Sequence, residues 1–200
     1  MKKALFLDRD GVVNEMVTYP GDEPFDSPQK PEDVVLVEGI VKAIKWCNDR
    51  KIPVIEITNQ PGVAKGKMTK ETAQEIELKV QQLLAKEGAK VDRIYTCPHH
   101  PRGRVPELTM DCDCRKPKPG LLIKAAHELN IDLGQSVVLG DGSSDVGAGQ
   151  AAGCKTIIYI HNNNLPNKVE EARQGPADYK VNDLSEVIKL LTEVLETKRF

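Results

Sequence analysis

The sequence predicts an α/β fold: a doubly wound, Rossmann-like parallel sheet forming a single domain over residues 1–200. Two patterns predict it. Short apolar runs alternate along the chain with segments of helical periodicity, the order that builds a parallel sheet from βαβ units. Several of those runs stop at acidic or amide side chains, and the carboxyl ends of strands are where open α/β sheets hold their ligands. The composition agrees, since 200 residues with 40% hydrophobic and 29% charged side chains suit one globular core.

The first strand is the apolar run Ala4 to Leu7, which ends at Asp8-Arg9-Asp10-Gly11. An unbroken apolar run bounded by charge suits a strand covered on both faces. Residues i and i+2 of extended chain project to one side, so Asp8 and Asp10 share a site and Arg9 turns away. Two carboxylates that close repel unless a proton or cation intervenes, and a hard ion with oxygen ligands, Mg²⁺, answers that need. Taken alone, the stretch also reads as a turn after a strand, with Gly11 supplying a positive φ. Glu15 to Asp33 is a long polar connection, either functional or mobile. A helix opens at Glu38-Gly39 with Ile40, Val41, Ile44 and Cys47 on one face, Trp46 and Cys47 being packing residues.

The second strand, Ile52 to Asn59, ends in Thr58-Asn59, which in isolation would only cap a turn. Glu56 is out of place there, because a carboxylate inside a parallel strand needs a partner that the sequence does not name. Gln60-Pro61-Gly62 turns the chain into a helix from Thr69 to Gly88, with Ala73, Ile76, Val80, Leu83 and Leu84 on one face. Val91 to Thr96 is a third strand. Pro119 starts a helix over Gly120–Leu129. Ser136 to Asp141 repeats the design of the first strand, an apolar run into an aspartate. Asp145 opens a short helix to Ala152 and reads as its cap and as a partner for Lys116 or a loop. A fifth strand over Thr156–Ile160, a polar loop at Asn162–Asn164, a short helix near Val169 and a terminal helix from Leu184 to Leu195 complete the chain.

Between the third strand and Pro119 lie Cys97-Pro98-His99-His100-Pro101 and Cys112-Asp113-Cys114-Arg115-Lys116. Three of the five cysteines sit here beside histidines, which points to metal rather than to a disulfide framework. Cys97, His99, Cys112 and Cys114 form a closed tetrahedral set for structural Zn²⁺, a staple for a loop with no core of its own. His100 is the competing nitrogen ligand. The formal net charge of −2 gives no basic footprint for nucleic acid. No apolar run approaches a membrane span, and no signal-peptide core follows Met1-Lys2-Lys3. The expectation is a cytoplasmic protein with neither nucleic acid nor membrane as a partner, its oligomeric state left open with a monomer compatible.

In order, the chain carries DxDG, an apolar run into T-N, K-P and GDxxxD, each in its strand context. Together these resemble the haloacid dehalogenase (HAD) superfamily of aspartate-nucleophile phosphatases. The stretches FLDRDGVVN, TNQPGVAKG and CPHHPRG…CDCRKPKPG are similar to its zinc-loop branch, which includes phosphatases of heptose bisphosphate and of histidinol phosphate, the former being nearer. The likeness runs from Ala4 to Ile160.

The resemblance implies a Mg²⁺-dependent, zinc-stapled phosphatase acting on a phosphorylated sugar or similar metabolite. It implies Asp8 as nucleophile and Asp10 as general acid and base, with its pKa raised for the purpose. Asp8, Asp141 and the backbone carbonyl of Asp10 would hold Mg²⁺. Thr58, Asn59 and Lys116 would neutralise the transferring phosphate, and Arg115 would contact substrate. It further implies no large cap domain, so the Glu15–Asp33 loop and the zinc loop would border the pocket. Two departures stand out: Gly142, where the family usually has Lys or Arg, and the long Asn14–Gly39 connection. The rival readings are a histidinol-phosphate phosphatase, with Glu56 or the acidic loop receiving the amine, and a non-catalytic zinc-bearing binding module.

Overall fold

The structure is a computed structural model that describes residues 1–19, 25–160 and 166–196. The Asn162–Asn164 loop and part of the Glu15–Asp33 segment lie outside the described residues. Six strands form the sheet: β1 (Leu5–Leu7), β2 (Val54–Asn59), β3 (Arg93–Cys97), β4 (Val137–Gly140), β5 (Lys155–Tyr159) and β6 (Tyr179–Val181). All neighbours pair in parallel, in the spatial order β3-β2-β1-β4-β5-β6. The helices are α1 (Ile40–Asp49), α2 (Lys70–Lys86), α3 (Gly120–Leu129), α4 (Ser143–Ala151), α5 (Pro166–Gln174) and α6 (Val187–Glu196).

Alternation along the strands divides the core between the two sheet faces. Leu5, Leu7 and Val54 pack with Ile40 and Ile44 of α1, Ile76 and Val80 of α2, and Leu191 of α6. Phe6, Ile55 and Ile57 face the other way, onto Leu121, Leu122 and Ala125 of α3 and Ala148 of α4. β1 is only three residues long, yet each of them is fully buried. Truncating a side chain such as Phe6 to alanine typically costs about 3–5 kcal/mol, so packing rather than length fixes this strand. Cys47 is buried within the core and Trp46 packs against it.

The sequence reading and the structure part in two places. β6 was not anticipated, and the terminal helix begins as a separate 3-10 turn over Leu184–Glu186. No helix among the described residues is long and apolar enough to cross a membrane.

Candidate active site

The strand order reverses at β1: the chain goes to β2 and β3 on one side and to β4, β5 and β6 on the other. This switch point opens a crevice at the carboxyl ends of β1 and β4, where such sheets bind ligands. Asp8 leaves β1 with its N–H bonded to Leu139 O of β4 at 3.0 Å, which fixes it beside Asp141. Gly11 (φ +86°) has to be glycine on two counts, because a Cβ there would also lie 2.2 Å from Asp141 Oδ2. The result is a polar cavity of about 210 Å³ whose lining includes Asp8, Asp10, Ser27, Lys116, Asp141 and Gly142.

Lys116 is the buried centre of this cavity's charge. Its Nζ lies 2.8 Å from Asp8 Oδ1 and 2.5 Å from Asp145 Oδ1 and donates to Ile57 O at 2.9 Å. Asn59 holds the Lys116 backbone from both sides, accepting its N–H at 3.1 Å and donating to its carbonyl at 3.2 Å. The Asn59 amide therefore positions Lys116 as well as lining the cavity. Asp145 does what its sequence position suggested: it caps α4 by accepting Gly142 N–H at 3.1 Å and pairs with Lys116. A Cβ at Gly140 would stand 2.1 Å from the Asp145 Cβ, so glycine there admits the carboxylate. Burial, then the charge of Asp145, push the Asp8 carboxyl up to about 7 against the pull of Lys116. Burial works against the Lys116 ammonium, but Asp145 and Asp8 outweigh it and hold its pKa above the ordinary lysine value.

For Asp10 the expectation of a raised pKa is reversed. Burial does push it up, but the Arg9 guanidinium and hydrogen bonds from Arg9, Gln60 and Ser27 prevail and hold it below the usual carboxylate range. Its Oδ1 accepts from Arg9 Nε and Asn14 Nδ2, both at 3.0 Å. Its Oδ2 accepts from Gln60 Nε2 at 2.6 Å, Ser27 Oγ at 2.7 Å and Arg9 Nη2 at 3.3 Å. Arg9 does leave the Asp8 cavity, but it folds back onto Asp10 and is buried. Sequence reasoning missed Gln60 and Ser27. Gln60 was read only as the first residue of a turn within the TNQPGVAKG stretch, and Ser27 carried no signal at all.

Thr58 is buried, and its Oγ1 accepts from Gln60 Nε2 at 2.8 Å. Arg115 is half-buried and donates to His99 O at 3.2 Å. The Cys/His loop reaches the Asp8 cavity through Lys116; Pro98 and Leu108 instead line a neighbouring, largely apolar cavity of about 340 Å³ whose wall includes Arg9 and Gln60.

Both candidate metal sites suit their ions. Cys97, His99, Cys112 and Cys114 converge: the Cys114 sulfur lies 3.2 Å from that of Cys112, 3.3 Å from that of Cys97 and 3.3 Å from His99 Nδ1. Zn–S bonds of about 2.3 Å at tetrahedral angles set sulfurs roughly 3.7 Å apart, close to this spacing. His100 is turned elsewhere, its Nδ1 accepting Arg102 N–H at 3.1 Å. In the crevice, carboxylate oxygens of Asp8, Asp141 and Asp145 lie within 4.8 Å of one another. One ammonium among three carboxylates leaves surplus negative charge on an all-oxygen donor set, the environment a hard divalent ion takes.

A half-buried aspartate at the end of β1, a lysine bridging it to a second aspartate, and an acidic crevice at the switch point make a phosphoryl-transfer site. The chain belongs to the HAD-like hydrolases and is a phosphatase of that family, whose profile, described as HAD-hydrolase-like, matches residues 113–187. Among its relatives is D-glycero-beta-D-manno-heptose-1,7-bisphosphate 7-phosphatase of Yersinia pestis, 34% identical over 94% of each chain. D-glycero-alpha-D-manno-heptose-1,7-bisphosphate 7-phosphatase of Photorhabdus laumondii is 38% identical over 79% of this chain and 82% of its own. The solved D,D-heptose 1,7-bisphosphate phosphatase of B. bronchiseptica, complexed with magnesium and phosphate, superposes with a TM-score of 0.78 at 30% identity, covering 96% of this chain and 98% of its own.

Proposed function

We propose that this chain hydrolyses the 7-phosphate of D-glycero-D-manno-heptose 1,7-bisphosphate through an aspartyl-phosphate on Asp8. The observation that carries the reading is the Asp8–Lys116–Asp145 chain beside Asp141, in a protein about one-third identical along nearly its whole length to heptose bisphosphate phosphatases.

Asp8 Oδ1 is taken up by Lys116 Nζ and by the Arg9 N–H at 2.7 Å, which orients Oδ2 as the attacking atom. Attack forms an O–P bond at Asp8 and breaks the bond to the sugar oxygen, which takes a proton from Asp10. Asp10 then receives a proton from the water that attacks phosphorus, and inorganic phosphate leaves as Asp8 is regenerated. An arriving phosphate dianion is a like charge beside Asp10 and favours its protonated form, offsetting the hold of Arg9. Lys116 neutralises charge on the transferring group, and the Thr58 hydroxyl and Asn59 amide fix its surroundings. Mg²⁺ held by Asp8, Asp141 and the Asp10 carbonyl would lower the repulsion between carboxylate and phosphate. Zn²⁺ on Cys97, His99, Cys112 and Cys114 would fix the loop that delivers Arg115 and Lys116.

A bisphosphate also needs a second anion site. Lys65, Arg102 and Arg115 cluster around His100, whose pKa is lowered by burial and by these cations. None of the three cations is ion-paired to a carboxylate among the described residues, and Arg115 immediately precedes Lys116. This rim is the proposed seat of the 1-phosphate. The test is phosphate release from heptose 1,7-bisphosphate, heptose 7-phosphate and histidinol phosphate, with the bisphosphate expected to give the highest kcat/KM. A preference for histidinol phosphate would reassign the substrate, and release from none of these or from an aryl phosphate would return the chain to the class of binding modules.

A further inference from the structure

Asp10 stands two residues beyond the nucleophile, past the end of β1, where the strand no longer restrains it. A carboxylate on a turn at the mouth of a cavity samples several rotamers, and a proton carrier that does so presents its oxygen only part of the time. Something must aim it. Arg9 and Asn14 grip it from its own turn, and Ser27 reaches it from the connecting loop. Gln60 alone comes from the end of β2, on a different strand of the sheet.

The side chain of Gln60 is used completely. Its Oε1 accepts from Arg9 Nη2 at 2.6 Å, and its Nε2 donates to Asp10 Oδ2 at 2.6 Å and to Thr58 Oγ1 at 2.8 Å. An amide offers two N–H donors and one carbonyl, and all are engaged here. The orientation is therefore unique. A flipped amide would set NH₂ against the Arg9 guanidinium and oxygen against the Asp10 carboxylate. The backbone is fixed as well, since Gln60 N–H donates to Cys97 O at 2.8 Å, tying the residue to the end of β3 where the Cys/His cluster starts. A single side chain, anchored on the rigid sheet, thus clamps Asp10 and the arginine that also grips Asp10.

We infer that Gln60 is a positioning residue for proton transfer: it acts through Asp10, by hydrogen bonding rather than by filling space. The inference rests on the reading of Asp10 as proton carrier. Gln60→Met keeps the bulk and removes the hydrogen bonds, whereas Gln60→Ala removes both. With the full chain, Mg²⁺ and Zn²⁺, kcat/KM is measured on heptose 1,7-bisphosphate, whose alkoxide needs a proton to leave, and on p-nitrophenyl phosphate, whose phenolate does not. General acid–base catalysis is worth roughly 10²–10⁴-fold, so losing the aim of that group should cost about 10–100-fold on the sugar ester in both variants. The aryl ester should lose several-fold less.

In the Asp10→Asn background, Gln60→Met should cost almost nothing more, because effects that act through one group do not add. Urea midpoints check that each variant is folded, and if Gln60→Ala is not, Gln60→Met carries the test. Near-normal activity in Gln60→Met, equal losses on both esters, or a full additional loss in the double variant would each overturn the inference. The two layers fail separately. An unimpaired Asp10→Asn defeats the proton-carrier reading, whereas an impaired Asp10→Asn beside an unimpaired Gln60→Met defeats only the role of Gln60.

Discussion

Replacing Glu56 by glutamine should make the protein more stable at alkaline pH while changing little near pH 4.5. Glu56 is 1% exposed, faces the α1–α2 side of the sheet within β2, and its Oε1 has no hydrogen-bond partner among the described residues. Burial raises its pKa from 4.5 to about 8, with Arg9 opposing only in part. Between those values the folded chain keeps a proton that the unfolded chain releases. The folded state binds more protons there, so this group's contribution to stability is complete below pH 4.5 and is lost as pH rises toward 8. The slope is at most ~1.4 kcal/mol per pH unit, so the loss across the window is on the order of 4 kcal/mol. Glutamine has the same shape and no charge to bury. Urea unfolding of both proteins from pH 5 to 8.5, with Mg²⁺ and Zn²⁺ present, should show the difference growing in favour of Glu56→Gln. A difference that stays flat with pH would mean that Glu56 is ionised in the folded state and paired with Arg9.

Three further outcomes are expected. Cys112→Ser should lose bound zinc, read by elemental analysis, along with stability, because metal affinity of such a site is also folding free energy; a variant with full zinc content would refute the ligand set. Asp8→Asn should abolish turnover while Asp10→Asn lowers it by about 10²–10⁴-fold, the range for general acid–base catalysis, and a phosphate-release assay decides both. Gly142→Lys should raise kcat/KM on the bisphosphate relative to the monophosphate by about one decade, a charge-assisted contact being worth roughly 1.5–3 kcal/mol. A side chain fits at position 142, where the nearest atom to an added Cβ would be 3.5 Å away, so an unchanged ratio would show that a cation there does not reach substrate.

Most of the sheet was legible because β1, β2 and β4 are apolar runs that stop at polar groups, and both periodicity and chemistry mark those ends. β6 was not. Tyr179-Lys180-Val181 is too short to show a period, and what makes it a strand is remote: it pairs with β5, and Asp178 just before it accepts from Thr156 N and Oγ1, both at 2.9 Å. The same split runs through the site. Asp8, Asp141, Lys116 and the Cys/His set stand out because their spacing is local or their context repeats. Arg9, Ser27 and Gln60 do not, because what they do is hold Asp10, and Ser27 and Gln60 lie 17 and 50 residues from it in sequence. Glu56 could be recognised as misplaced from sequence, yet its burial beside Arg9 is a property of the packed sheet.

The place of β1 in the sheet also sets an order for making the protein. β1 is synthesised before β2 and β4, yet it lies between them, and Ala4 N–H bonds to Ser136 Oγ across 132 residues of sequence. Until β4 has been made, one edge of the strand that carries Asp8 has no neighbour, and an unpaired strand edge invites association with other chains. The Cys/His cluster precedes β4, complete by Cys114, so the β2–β3 half and the Cys/His loop can take shape on the emerging chain before β1 is enclosed. Asp8 is thus made before either of the strands that flank β1, and its surroundings close only once β4 has joined.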